Sequence, residues 1–256
     1  VDNCELYYET TGRGPLLLFV HGFPLSGEMW RPAVERLSAN YRCIVPDLRG
    51  HGRSDATPTA DMSRYSDDLA AVLDAVDAKQ PVVLIGLSMG GYVAFEFFRR
   101  HRDRVRAMVL ADTQAIADSP EARTRRETMV SAVAENGSRA VADAMIDKLF
   151  APGVDQNLRS RWHEIMSRTP PAGVIAALRA MAGRPDSTPT LAKIDCPTLI
   201  VVGEHDTITP PDVHHAMHAA IRGSRIEIIA DAGHMVPVEQ PDRFVSLFIS
   251  FLASLP

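Results

Sequence analysis

The sequence predicts an α/β protein with a mostly parallel central sheet, helices on both of its faces, and a helical insertion within one connection. Three observations carry this expectation. Six short runs, at 16–20, 42–45, 82–85, 107–110, 198–202 and 225–229, are rich in branched aliphatic residues, and most are hydrophobic without interruption, as strands covered on both faces must be. Helical patterns at about 31–39, 64–77, 89–100, 211–220 and 241–254 separate or follow these runs, several with proline near the first turn, as at Pro210 and Pro241. That alternation is the pattern of a parallel sheet. From about 113 to 190 the rhythm breaks, because this stretch holds amphipathic patterns and no strand run.

Residues 1–112 and 191–256 are therefore expected to form the sheet-bearing core, and 113–190 a helical cap. Within the cap, helices are predicted at 121–135, 138–150, 157–168 and 172–182. Their apolar positions include Met129, Val133, Met145, Leu149, Phe150, Trp162, Ile165, Met166 and Leu178. Most are expected to pack onto the sheet, the rest to line a pocket. The sequence shows no internal repeat and no low-complexity tract.

Composition narrows the function classes. With 256 residues, 46% of them hydrophobic, the chain can bury a substantial core. A formal charge of -5 offers no basic footprint for nucleic acid or an anionic membrane, and the arginine-rich stretches 99–106 and 123–126 are interleaved with apolar or acidic residues. Cys4, Cys43 and Cys196 are widely spaced and odd in number, which predicts free thiols rather than a disulfide framework or a zinc site. No apolar run approaches the ~20 residues that span a bilayer. Val1 opens the chain without a charged and then apolar leader, so a cytoplasmic location is expected. No metal or cofactor is implied: the glycines at 12, 14, 50 and 52 form no phosphate loop, and His214, His215 and His218 read as a surface helix rather than as H-E-x-x-H. Oligomeric state is left open.

The chemistry-bearing segment is Gly86-Leu-Ser88-Met-Gly90, set between a buried strand run and a helix. A serine on so tight a strand-to-helix passage is lifted above the sheet, and glycines on either side avoid the clashes that side chains would make. A serine hydroxyl is a weak nucleophile until a base takes its proton, so a histidine and an acid must follow. His234, in Asp231-Ala-Gly-His234, lies just after the last strand run, and Asp206, in Gly203-Glu-His-Asp206, just after the one before it. Both loops open on the edge of the sheet where Ser88 sits.

Together, Val20-His-Gly-Phe-Pro24, Asp47-Leu-Arg-Gly-His-Gly-Arg-Ser-Asp55, Gly86-Leu-Ser-Met-Gly90, Gly203-Glu-His-Asp206 and Gly233-His234 resemble the α/β-hydrolase superfamily. Within it, the chain is most similar to small serine esterases, enol-lactone hydrolases and cofactor-free haloperoxidases or perhydrolases. The resemblance covers everything outside the insertion. It implies the α/β-hydrolase fold, a Ser88–His234–Asp206 triad acting through an acyl-enzyme, and an oxyanion hole built from the backbone N–H groups of Phe23 and Met89. Its expected substrate is a small ester or lactone. Perhydrolysis, C–C bond, thioester or amide cleavage, and ligand binding without catalysis stay open. Epoxide hydrolases and haloalkane dehalogenases are also similar, but they use an aspartate nucleophile where this chain has Ser88.

Among other candidates, Asp112 is the main rival acid. His21 is expected to make structural hydrogen bonds, His51 to belong to a loop network, and Glu239 and Asp231 to be solvent or turn residues. Met29, Trp30, Phe150, Trp162 and Met166 are expected to contact substrate. The insertion is read as a lid that selects substrates and takes no part in bond breaking.

Overall fold

A computed structural model describes residues 4–255; Val1, on which the leader reading rests, lies outside them. In chain order the first half contains β1 (Tyr8–Thr11), β2 (Leu16–Val20), a 3-10 turn (Gly27–Trp30), α1 (Arg31–Leu37), β3 (Arg42–Pro46), α2 (Met62–Ala75), β4 (Val82–Leu87), α3 (Met89–Arg100) and β5 (Val105–Ala111). The second half contains α4 (Pro120–Asn136), α5 (Arg139–Leu149), α6 (Gln156–Arg168), α7 (Pro171–Ala182), α8 (Thr188–Leu191), β6 (Thr198–Gly203), α9 (Pro211–Ala220), β7 (Arg225–Ile229), α10 (Val236–Glu239) and α11 (Pro241–Ala253).

The seven strands form one sheet in the order β1-β3-β2-β4-β5-β6-β7, parallel except for β1. The chain has the α/β-hydrolase architecture expected of it. Strand side chains alternate between two apolar layers. Leu16, Leu18, Val20, Leu84 and Leu110 join α2, α3 and α9 on one face, while Leu17, Phe19, Ile85, Val109 and Val201 join α1 and α11 on the other. Burial on both faces explains why these strands read as unbroken apolar runs. β1 escaped the sequence reading because it is a polar edge strand, Tyr-Glu-Thr-Thr, paired antiparallel to β3 from Tyr8↔Pro46 to Thr11↔Cys43.

Helices α4 to α8 occupy the interval between β5 and β6, with no strand. α4 packs on α7 and α5 on α6, and Val130, Val133, Val174 and Met181 extend the first apolar layer. The two ends of the interval meet, because Ser187 N–H donates to the Ala115 carbonyl at 2.8 Å and Arg184 to that of Ile116 at 2.8 Å. Arg184 also pairs with buried Asp118 and lies 4.2 Å from the centre of the Tyr92 ring.

Cys4, Cys43 and Cys196 are buried and no disulfide links them. Among the described residues no helix is long and apolar enough to cross a membrane, and no group of three or more His, Cys, Asp or Glu is placed to hold a metal ion. The loop from Asp47 to Asp55 is tied down from within. Asp47 accepts N–H bonds from Gly27 at 2.7 Å and Arg53 at 2.8 Å, and Arg49 forms a buried two-pronged pair with Asp68 on α2.

Met29 and Trp30, expected to contact substrate, are packed as core residues. Ser26 caps the 3-10 turn, and both side chains are fully buried, with the Trp30 ring 5.3 Å from that of Phe19 and 6.0 Å from that of Phe244. A sequence-adjacent turn cannot reveal which layer its side chains enter. Trp30→Ala is therefore expected to cost about 3–5 kcal/mol, read as a lower urea midpoint at unchanged slope. A wild-type midpoint would contradict this placement.

Candidate active site

The site begins with crowding where β4 turns into α3. A Cβ on Gly86 would lie 2.4 Å from the Gly90 carbonyl oxygen, and one on Gly90 would lie 2.2 Å from that of Val20. No side chain fits at either position, which is the steric reason for glycine two residues on each side of Ser88. Ser88 itself sits at φ 54, ψ -115, a conformation that costs a non-glycine residue about 1–3 kcal/mol. Hydrogen bonds hold it there. Its N–H donates to Ala111 O at 3.0 Å, and its carbonyl accepts from Gly91 N–H at 2.9 Å and Thr113 Oγ1 at 2.8 Å. Ser88 is partly exposed, whereas 82–87 and 89–95 are buried.

Asp206 and His234 come from the loops after β6 and β7, which are neighbouring strands. His234 Nδ1 lies 2.8 Å from Asp206 Oδ2, with both side chains buried. A carboxylate only accepts, so Nδ1 carries the proton and Nε2 is left as the basic nitrogen. Asp206 also receives Ile208 N–H at 2.8 Å, Thr209 N–H at 3.0 Å and the Thr209 hydroxyl at 2.7 Å. Burial pushes the Asp206 carboxyl upward, but the charge of His234 and these donors outweigh it and hold the group below the usual carboxylate range.

The oxyanion candidates flank the same elbow. Met89 is the first residue of α3, so its amide has no helical acceptor. The loop after β2 closes through Leu25 N–H to Gly22 O at 3.0 Å, leaving the Phe23 amide outside that bond, and a Cβ on Gly22 would lie 3.4 Å from Ser88 Cβ. His21 fixes this loop. Its Nδ1 meets the Gly22 carbonyl at 2.8 Å and its Nε2 accepts from Leu48 N–H at 2.9 Å, while burial lowers its pKa to about 4 and keeps it neutral.

The family model for the alpha/beta hydrolase fold matches residues 15–241. The chain belongs to this α/β-hydrolase family. It is similar to a thermophilic esterase from Thermogutta terrifontis, at 41% identity and TM-score 0.96 over 98% of this chain and 94% of that one. It is also similar to 3-oxoadipate enol-lactonase 1 of Acinetobacter baylyi, 29% identical over 94% of this chain and 90% of the relative. The structure of a bromoperoxidase from Bacillus anthracis shares 27% identity at TM-score 0.88, over 98% of this chain and 96% of that one.

Other candidates in this α/β-hydrolase take distinct places. The rival acid Asp112 is fully buried, spends Oδ1 on Gly203 N–H at 2.9 Å, and leaves Oδ2 without a hydrogen bond. Burial first, then the neighbouring Asp206 charge, pushes its carboxyl well above the usual range. His51 is buried in the loop network, with Nδ1 3.1 Å from Arg49 O and its ring 5.2 Å from that of His21. His214 is corrected from a surface residue. It is wholly buried and accepts Thr113 N–H at Nε2, 3.0 Å away, whereas His215 is exposed and His218 half-buried.

Glu239 is corrected as well, from a solvent residue to a half-buried carboxylate that accepts three backbone N–H groups: Ala151 at 2.7 Å, Gly233 at 2.9 Å and Met235 at 3.2 Å. The sequence reading passed over Thr113 and Thr209, and placed Glu239 as a solvent or turn residue, since each acts through backbone or hydroxyl contacts that carry no motif. Phe150, Trp162 and Met166 are buried in the apolar layer that also holds Met235, and a Cβ on Gly233 would lie 3.0 Å from Phe150 Cα. A separate surface cleft of about 270 Å³, lined by Glu28, Asp47, Arg53 and Arg168 among others, contains none of Ser88, Asp206 or His234.

Asp206→Asn is expected to lower kcat by about four orders of magnitude, because an amide at this position favours the wrong tautomer of His234. Asp112→Asn should fall far less, since the asparagine oxygen can still accept from Gly203. Steady-state kinetics on a chromogenic ester decides this, and reversed effects would move the acid to Asp112.

Proposed function

We propose that this α/β-hydrolase cleaves small carboxylic esters or lactones through an acyl-enzyme on Ser88. The observation that carries the reading is the 2.8 Å Asp206–His234 hydrogen bond, formed in a family member whose serine occupies a positive-φ elbow. Likeness to an esterase and an enol-lactonase supports the same bond class. In the proposed sequence Ser88 Oγ attacks the carbonyl carbon as its proton passes to His234 Nε2. The negative charge on the tetrahedral oxygen is then met by the Phe23 and Met89 amides, since fixed backbone dipoles stabilise such charge without reorganising. Collapse expels the alkoxide, which takes the proton back from the imidazolium. Water repeats these steps on the acyl-enzyme to release the acid and restore Ser88, while Asp206 stays ionised and stabilises the imidazolium throughout. A second reading, perhydrolysis, is favoured by the bromoperoxidase likeness. Peroxide would replace water as acyl acceptor on the same intermediate.

Residues 113–190 are proposed as a cap whose side chains select the acyl or alcohol group. Phe150 supports this through its closeness to the His234 loop. Trp162→Ala, Phe150→Ala and Met166→Ala, assayed across an acyl-length series with circular dichroism to verify folding, are expected to change KM and chain preference by roughly 10- to 200-fold. An equal fall in kcat for every substrate at unchanged KM would count against selection by these side chains.

For the nucleophile, Ser88→Ala should abolish both ester turnover and labelling by a serine-reactive organophosphate, and leave the urea midpoint about unchanged, because alanine keeps the Cβ and with it the same backbone conformation at φ 54. Retained labelling would refute the assignment of Ser88.

A further inference from the structure

The loop carrying His234 is not held by its own strand alone. His234 N–H donates to the carbonyl of Leu149, the last residue of α5, at 2.9 Å. Two residues on, Ala151 N–H donates to Glu239 Oε2 at 2.7 Å, while Glu239 Oε1 takes Gly233 N–H at 2.9 Å and Met235 N–H at 3.2 Å. The backbone thus meets Glu239 immediately before His234, immediately after it, and at the end of an insertion helix. The approach is tight, for a Cβ on Gly233 would sit 2.6 Å from Ala151 N. The short helix α10 turns the chain back so that Glu239 faces amides four and six residues behind it. Charge-assisted bonds of this kind are about twice as strong as neutral ones.

We propose that Glu239 is a positioning residue that clamps the His234 loop to the C-terminal end of α5, so that the insertion contributes to turnover as well as to selectivity. The inference rests on the hydrolase reading. It departs from the sequence expectation that chemistry and the insertion are separable. Its physical basis is that His234 must serve Asp206 through Nδ1 and Ser88 through Nε2 at once, and a ring displaced by about 1 Å can cost on the order of 100-fold in rate. Glu239 touches no reacting atom. Its effect passes through the backbone on either side of the base.

The test compares Glu239→Ala and Glu239→Gln with wild type on short-chain p-nitrophenyl esters. Active sites are counted by stoichiometric organophosphate labelling, so that kcat refers to competent molecules only. Glu239→Ala loses all three hydrogen bonds and is expected to lower kcat per labelled site by about 10- to 100-fold for every acyl length, with KM within about threefold of wild type. Glutamine can keep one oxygen on Gly233 and Met235, but then turns an N–H₂ group toward the Ala151 N–H, so its kcat should fall by about 3- to 10-fold. Amide exchange at Ala151 should quicken in both variants. A merely structural role would reduce the number of labelled sites and leave kcat per site unchanged, and that result overturns the inference. So does a shift in KM and chain preference at constant kcat. Should Glu239→Ala fail to fold, Glu239→Gln decides the matter alone: a lower kcat at unchanged KM supports the clamp, and a wild-type kcat overturns it. Wild-type protein that neither turns over esters nor takes the label overturns the hydrolase reading itself, and this inference with it.

Discussion

The close approach of α3 to β2 and β4 is the constraint on which the rest of the site depends. The Val20 carbonyl stands 2.2 Å from where a Cβ of Gly90 would be, and Thr113 Oγ1 stands 2.3 Å from that of Gly91. With glycine at both positions the helix start can lie this near, beside Ser88 at its positive φ and the loop after β2. The Met89 amide then lies at a helix terminus whose dipole favours negative charge. One packing event thereby sets the positions of the serine, both spare amides and the threonine that supports them.

Two buried carboxyls, Asp206 and Asp112, show how environment separates like groups. Asp206 receives three donors from Ile208 and Thr209 besides His234, and stays below the usual range despite burial. Asp112, with Gly203 N–H on Oδ1, is pushed well above that range by burial first and then by the Asp206 charge. Two carboxylates so close are not both easily charged. Burial raises both, and the His234 charge and the donors on Asp206 bring only that carboxyl back below the usual range.

The helical interval between β5 and β6 is bonded to the rest of the chain in two ways. At its ends, Ser187 meets Ala115 and Arg184 meets Asp118 and Ile116, which fixes where the excursion leaves and rejoins the sheet. At its middle, the segment from Leu149 to Ala151 hydrogen-bonds to the His234 loop and to Glu239. The first set is expected of any inserted unit. The second joins helix α5 and its C-terminal extension to the loop that carries His234.

The sequence by itself determined the six parallel strands, the long helices and the helical interval, because two-sided burial and helical periodicity are written in neighbouring residues. It also determined the elbow and the two loops carrying Asp206 and His234, since the steric need for Gly86 and Gly90 is local. Only the tertiary structure decided that β1 joins the sheet as a polar edge, and that Trp30 and Met29 enter the packed layer beneath it. The same holds for His214, buried against Thr113, and for Glu239, bonded to amides at 151, 233 and 235. A buried carboxylate and a solvated one are spelled alike. What distinguishes them is which backbone N–H groups the fold brings within 3 Å or so, and those come from residues distant in the chain.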